Sequence, residues 1–343
     1  MAFSTFLVRR LAHSLVILVG LSILIFFIAR VMPGDPARLA LGPRAPKDVV
    51  QRWREWMHLD EPLCVQYYYW LVDTFHGSFG QSLYTRRDVA IDVKTFLPAT
   101  MELVLFSGLI MGVFGVLLGA ISARYHDTWI DNVLRVGTYV GVATPAFVFA
   151  IFFLLLFGYL FKILPTLGRL ESTITPPPVM TGMITVDSLI TGNFVAFLDA
   201  LKHLLMPATA LALGPLAQEI RITRSSMTDN MLKPYIAVEK AQGIPDRVIN
   251  LKYLLKPSLI PTVSIMALDF AALLGNAFLV EGVFNWPGLS RYGIQAMIQK
   301  DLNAITAVVL VIGVIFITVN IIVDIVVAYL DPRIRLRGRS GMT

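Results

Sequence analysis

Long, continuous apolar runs broken by short polar stretches dominate this chain. Six of them approach the ~20 residues that an α-helix needs to cross a bilayer's hydrocarbon core: 11–31, 100–123, 133–160, 204–220, 259–283 and 304–330. Their apolar positions are consecutive rather than alternating, which predicts membrane helices and argues against a barrel. The fourth run is short and is interrupted by Pro207 and Pro215. Pro145 interrupts the third, and prolines in spans are tolerated where helices kink or line a cavity. Arg9 and Arg10 precede the first run, as in a signal peptide. Its apolar core is long and no small-x-small site follows, so it reads as an uncleaved span.

The polar stretches carry elements of their own. In the segment after the first span, Val49, Val50, Trp53, Trp56 and Met57 fall at helical spacing and predict an amphipathic helix. The run QYYYWLVDTF beyond it is aromatic enough for an interfacial belt or for a docking surface. Between about 161 and 202 the chain reads as extended and irregular, with TVDSLI as a short helix. The most distinctive stretch is a polar island, residues 221–256, between the fourth and fifth runs. It is too long for a turn and too short for an enzymatic domain. Pro234 opens a helix from Tyr235 to Gln242 that Gly243 closes in a left-handed cap. A second helix, from Asp246 as N-cap to about Lys256, leads toward the fifth span.

Composition agrees with the membrane class: 56% of the residues are hydrophobic and 15% charged. With both termini on one side, the short loops of that side hold Arg9, Arg10, Arg124, Arg135, the island and the tail Arg333, Arg335, Arg337 and Arg339. Basic residues there exceed acidic ones by about two to one, which orients both termini to the cytoplasm. The net charge of +6 therefore belongs to the membrane's inner face, and no nucleic-acid-binding module is recognisable. Cys64 is the single cysteine and the five histidines are scattered, which leaves neither an intrachain disulfide nor a metal-ligand spacing.

The residues that could carry chemistry are few. There is no phosphate-binding G-x-x-x-x-G-K-[ST] loop, no H-E-x-x-H and no G-x-S-x-G, so no catalytic residues are assigned and any uphill transport must draw its energy from another chain. Gly108, Gly112, Gly115 and Gly119 share one face of the second span, where a neighbouring helix can approach closely. Ionisable groups within spans mark functional candidates. Asp269 and Asn276 share a face of the fifth span, and Asn320 and Asp324 a face of the sixth. A solvated translocation path, structural hydrogen bonding and proton coupling all remain open for Asp269 and Asp324. Glu102 and Glu281 lie near span ends, where water contact is expected. The island's short helix, presenting Tyr235, Ala237, Glu239, Lys240 and Ala241, has the small residues needed to enter a groove on a soluble partner.

Taken in order along the chain, several segments resemble the inner-membrane permeases of ATP-binding-cassette importers, in their dipeptide, oligopeptide and nickel branch. These are the RR-span-PGDP opening, LDEP, QYYYWL, GSFGQS, LPAT-ME, ATPAF, LPTLGR, RITRSSM, the Y-x(7)-G of the island, EGVFNWPGLSRYGIQAMIQKD and NIIVDIVVAYLDPRIR. The resemblance spans essentially the whole length. It implies an all-α, six-span type I permease in the inner (plasma) membrane. Residues 1–32 would hold the N-terminus and first span, 33–97 a large extracytoplasmic loop, and 98–343 the core with its cytoplasmic coupling loop, 221–258. It implies as partners a second, related permease, two ATPase subunits that bind ATP and magnesium, and an extracytoplasmic solute-binding protein, with no cofactor in this chain. ATP binding would close the ATPase pair, pull on the docked helices and tilt the spans from inward- to outward-open. The coupling role falls on Tyr235, Ala237, Glu239, Ala241, Gly243 and Arg247, with Glu239 standing where the branch carries alanine and Pro257 where it more often carries a polar residue. Di- or oligopeptides are the expected cargo. Nickel complexes, glutathione and oligosaccharides remain open as substrates, and an ion-gradient-driven secondary transporter and a pathway-free scaffold subunit as rival classes.

Overall fold

The computed structural model describes residues 3–31, 36–42 and 44–330. The start of PGDP and the tail arginines Arg333, Arg335, Arg337 and Arg339 lie outside the described residues. In chain order the helices are α1 (Phe3–Val31), α2 (Pro36–Leu41), α3 (Lys47–Trp56), α4 (Leu63–Phe75), α5 (Val89–Arg124), α6 (Trp129–Ala143) and α7 (Ala146–Phe153), the last continued by a π-helical turn, Leu154–Leu160. They continue with α8 (Ile184–Ile190), α9 (Phe194–Met231), α10 (Pro234–Ala241), α11 (Asp246–Val248), a second π-helical turn (Ile249–Leu255), α12 (Lys256–Val283), α13 (Leu289–Ile298) and α14 (Leu302–Leu330). Among the described residues the fold is all-helical, and its one β interaction is an isolated bridge between Gln81 and Asp88.

Among the described residues five helices are long and apolar enough to cross a membrane, or six if a bent pair makes one span. The bent pair is the expected third run. Its halves, Trp129–Ala143 and Ala146–Leu160, meet at 107° rather than forming a continuous helix. Pro145 explains the position of the break: it forces the preceding residue out of the helical region, and Thr144 sits at φ −101°, ψ 123°. The fourth run departs in the opposite direction. α9 passes through Pro207 and Pro215 and extends to 38 residues, well beyond the apolar core on both sides. Each proline removes one backbone hydrogen bond, a loss that packing against neighbouring helices can outweigh in a membrane. α9 has those neighbours in α6, α7, α8 and α12.

The chain divides into two compact units. One comprises Met1–Val8, Ala99–Pro287 and Thr318–Thr343, the other Arg9–Pro98 and Gly288–Ile317. In the second unit the aromatic run forms α4, and its side chains separate into two sets. Tyr67 and Trp70 pack on Phe26 of α1, while Tyr68 is exposed and Tyr69 stacks on His58. Asp301 caps α14 through Ala304 N (3.1 Å) and ties down the 82–84 loop by accepting from Ser82 Oγ (2.6 Å) and the amides of Leu83 and Tyr84. A buried cluster of Val89, Val93, Leu289, Tyr292, Ala296 and Val308 completes this unit's core.

In the first unit, the glycine face of α5 meets two different helices. A Cβ at Gly115 or Gly119 would stand 2.6 Å from the Cβ of Glu219 or Thr223 on α9, and one at Gly108 would stand 2.4 Å from the Phe270 ring on α12. Gly112 is looser, with Met266 Sδ at 3.3 Å. Gly119 is the most constrained because a backbone oxygen, Ile220 O, also lies 2.9 Å from that position. Gly119→Val should therefore destabilise the protein by about 1–3 kcal/mol through overpacking, read as a lower thermal midpoint in lipid nanodiscs. An unchanged midpoint would show that α5 and α9 separate freely.

Candidate functional site

The polar island folds as a small helix held on the ends of two long ones. Lys233 is the N-cap and Pro234 the first residue of α10, where its missing N–H costs nothing. Gly243 at φ +75° turns the chain out of the helix; its amide donates to Lys240 O (3.0 Å) and that of Ile244 to Glu239 O (3.2 Å). The second helix differs from expectation at both ends. Pro245 rather than Asp246 occupies the N-cap, and after Val248 the backbone widens into the π-helical turn before entering α12 without a break. Pro257 helps explain that irregularity, since it cannot donate to the carbonyl four residues back, Tyr253 O. Tyr235 Oη donates to that carbonyl at 3.3 Å and so fastens α10 to the π-helical turn that leads into α12.

Burial assigns the faces of α10. Ile236 is its one buried residue, packed with Ala123, Met227, Ile249 and Leu254. Tyr235, Ala237, Ala241, Gly243 and Arg247 are exposed, and Glu239 is half-buried. Around them stand exposed apolar side chains: Leu232 (83% exposed), Val238 (54%) and Leu251 (55%). Such a concentration of exposed apolar groups within a polar loop makes this a candidate interaction surface. Ile236 was absent from the sequence-based set, because the periodicity of an eight-residue helix does not say which single position is the anchor.

Above α10, a charged network ties α9 to the start of α6. Arg224 holds Asp131 in a two-pronged pair (Nε–Oδ1 2.6 Å, Nη2–Oδ2 2.6 Å), and Ser122 Oγ (2.6 Å) and the Asp127 amide (3.1 Å) also donate to that carboxylate. Asp131 is fully buried. The pair joins residues 93 positions apart. RITRSSM was visible as a motif, but its partner was not.

Among the intramembrane candidates, Asp269 is half-buried on α12 and accepts from Gln218 Nε2 at 3.3 Å. Asn276 on the same helix is exposed, while Asn320 and Asp324 are half-buried on α14. Glu219, next to Gln218, was missed by the sequence reading although it lies in the fourth apolar run. Fully buried, with neither carboxylate oxygen meeting a hydrogen-bond donor among the described residues, it has Asp269 as an electrostatic neighbour. A carboxylate so placed is a functional candidate by the same reasoning that selected Asp269.

Glu102 and Glu281 are buried rather than in contact with water. Glu102 pairs with Arg169 (2.5 Å) and accepts from the amide and hydroxyl of Thr185 (2.7 Å each), while Glu281 accepts from Thr100 Oγ1 (2.5 Å). The Arg169 guanidinium also sits 5.6 Å from the centre of the Trp286 ring, whose Nε1 donates to Ala99 O (2.9 Å). The loop between α7 and α9 is thus tied to both α5 and the end of α12. Within it, Asp187 accepts from Thr181 and from the amides of Met180 and Gly182. Burial works against ionisation of that carboxyl, but these donors prevail and hold it below the ordinary carboxylate value.

The sequence of this chain matches known transport proteins. The model of the binding-protein-dependent transport system inner membrane component matches residues 115–336, and that of the N-terminal part of such membrane components matches residues 3–104. The chain belongs to this family. It is 36% identical over 341 residues to the probable D,D-dipeptide transport system permease protein DdpB of Escherichia coli K12, covering 99% of both chains. Identity is 34% over 327 residues to the dipeptide transport system permease protein DppB of Alkalihalophilus pseudofirmus, with 95% of this chain and 98% of the relative covered. It is 30% over 332 residues to the glutathione transport system permease protein GsiC of Escherichia coli K12, with 97% and 99% covered. The permease is a multi-pass membrane protein, the transport subunit of an ATP-binding-cassette importer and not an enzyme.

Proposed function

We propose that this permease carries short peptides inward across the plasma membrane, working with a second, related permease, two ATPase subunits and an extracytoplasmic solute-binding protein. In this reading ATP and magnesium are bound by the ATPases and this chain carries no cofactor of its own. The single observation that supports the coupling role best is the division of α10 into one buried anchor, Ile236, and an exposed remainder bearing Tyr235, Ala237, Ala241 and Gly243. A helix with its own apolar surface uncovered and its small residues outermost is built to enter a cleft. Tyr235 bonded to Tyr253 O and Ile236 packed on Met227 join α10 to the approach to α12 and to α9, and Arg224 to Asp131 joins α9 to α6, so a pull on α10 has a path into all three.

The same reading places α10 and both termini in the cytoplasm, with 33–97 as an extracytoplasmic loop, 98–343 as the core and 221–258 as the coupling loop. Asp269, Asn276, Asn320 and Asp324, now with Glu219, are the candidates for the path. Short peptides are favoured as cargo because the relatives' names give D,D-dipeptide, dipeptide, di/tripeptide and glutathione, all small peptidic molecules with charged ends.

Reconstitution of the full complex tests this. Proteoliposomes with ATP inside or outside, as the orientation requires, should accumulate a labelled di- or tripeptide presented with its binding protein, and should stop when the ATPases are inactivated. Uptake that survives loss of ATP hydrolysis and collapses with a proton gradient would replace this reading with an ion-driven one.

A further inference from the structure

A cavity of about 180 Å³ opens among α5, α6 and α9 on the side of the molecule that bears α10, and three arginines line it: Arg135, Arg221 and Arg224. Ser122, Tyr139 and Ser225 stand among them. Arg224 is neutralised by Asp131. Arg135 and Arg221 have no acidic partner among the described residues, so the cavity holds two uncompensated guanidinium groups. A cavity with that surplus selects an anion, and the planar fork of arginine suits the oxygens of a phosphate.

The surroundings indicate which anion. Tyr139 lines the cavity and is exposed, and Tyr125 and Trp129, in the turn between α5 and α6 and at the start of α6, are exposed too (Trp129 is 74% exposed), in the manner of aromatic side chains at a bilayer surface. From Arg135 the same face of α6 continues as an exposed, largely apolar stripe, Tyr139 and Val142, one and two turns further on. Arg135 lies six residues into that helix, about 9 Å from its start. A ligand with a phosphate in the cavity and hydrocarbon along that stripe would satisfy both features at once. We infer that this cavity binds the phosphodiester headgroup of an anionic phospholipid of the inner leaflet, with its acyl chains lying along α6. Basic pockets between spans on the cytoplasmic side are suited to such headgroups. The inference rests on the orientation proposed above.

The test uses the intact, purified transporter, delipidated and then exposed to mixed micelles of phosphatidylglycerol and phosphatidylcholine in equal amounts, with retained lipid measured by mass spectrometry. Phosphatidylglycerol should be retained selectively. R135Q/R221Q should weaken its retention roughly thirtyfold, while R135K/R221K keeps most of it. Equal retention of the two lipids, or unchanged retention in R135Q/R221Q, would overturn the assignment. Millimolar inorganic phosphate should leave the lipid in place; displacement would reassign the cavity to a soluble anion. If R135Q/R221Q fails to insert, the single variants R135Q and R221Q decide, each expected to lose about fivefold. Lipid retention is read without transport, so failure here is distinguishable from failure of the coupling role, which the Ala241 and Gly243 variants test.

Discussion

Ala241→Arg should reduce ATP-dependent uptake by thirtyfold or more while leaving the amount of permease in the membrane unchanged. Ala241 is exposed on α10 and contributes nothing to the buried cluster around Ile236, so its replacement should alter folding stability by no more than about 0.5 kcal/mol. In a docking cleft, by contrast, a bulky charge where a methyl group fits removes a close approach. Losses at such central positions reach about 2 kcal/mol or more, a factor of roughly thirty in occupancy. Gly243 gives an independent handle on the same surface. A Cβ there meets no atom within 4 Å, so alanine is not excluded by a clash in this chain. What it meets is the backbone, since φ is +75° and a non-glycine residue in the left-handed region costs about 1–2 kcal/mol. Gly243→Ala thus tests strain with little bulk, and Gly243→Trp adds bulk to the same strain. Both should lower uptake, the tryptophan far more, and co-purification of the ATPase subunits should fall in parallel with uptake. Full uptake by both Ala241→Arg and Gly243→Trp would remove α10 from the coupling role.

What could be read from residues alone follows from how local each feature is. α10 was legible because its signals, Pro234 at the start and Gly243 at the end, lie within ten residues and act through backbone geometry. The apolar runs were legible because span length is set by the bilayer and not by neighbours. The break at Pro145 was visible as a place of weakness, but its 107° bend was not, since the angle depends on what the two halves pack against. Pro207 and Pro215 misled for the same reason: their local penalty is real, and the contacts that outweigh it come from helices far away in sequence. Glu102 shows the limit most clearly. Its place at a span end suggested contact with water, yet Arg169 and Thr185 meet it from 67 and 83 residues away. A charged residue's surroundings cannot be read from its own neighbourhood when the compensating groups arrive by tertiary folding.

The Arg224–Asp131 pair should prove the most sensitive polar contact in the protein. Arg224→Met leaves Asp131 fully buried with only Ser122 and the Asp127 amide to face its charge, and breaking such a pair from one side costs about 3–5 kcal/mol. Asp131→Leu leaves the opposite remnant, a guanidinium that retains some access to solvent at 19% exposure, so its loss should be the smaller of the two. Removing both charges together, D131L/R224M, should restore more than half of what the worse single variant loses, because the penalty comes from the orphaned charge rather than from the absence of the pair. Thermal midpoints in lipid nanodiscs measure all three. The consequence should extend to transport. Arg224 lies one to two turns before the end of α9, and α10 follows within three residues of Met231. Loosening α9 from α6 at that point leaves the small helix attached to a frayed end. Arg224→Met should therefore lose uptake at temperatures where most of the protein is still folded, and D131L/R224M should regain stability before it regains uptake. If all three variants melt within about 0.5 kcal/mol of the parent, the pair contributes only surface-like electrostatics and α9 is held to α6 by packing alone.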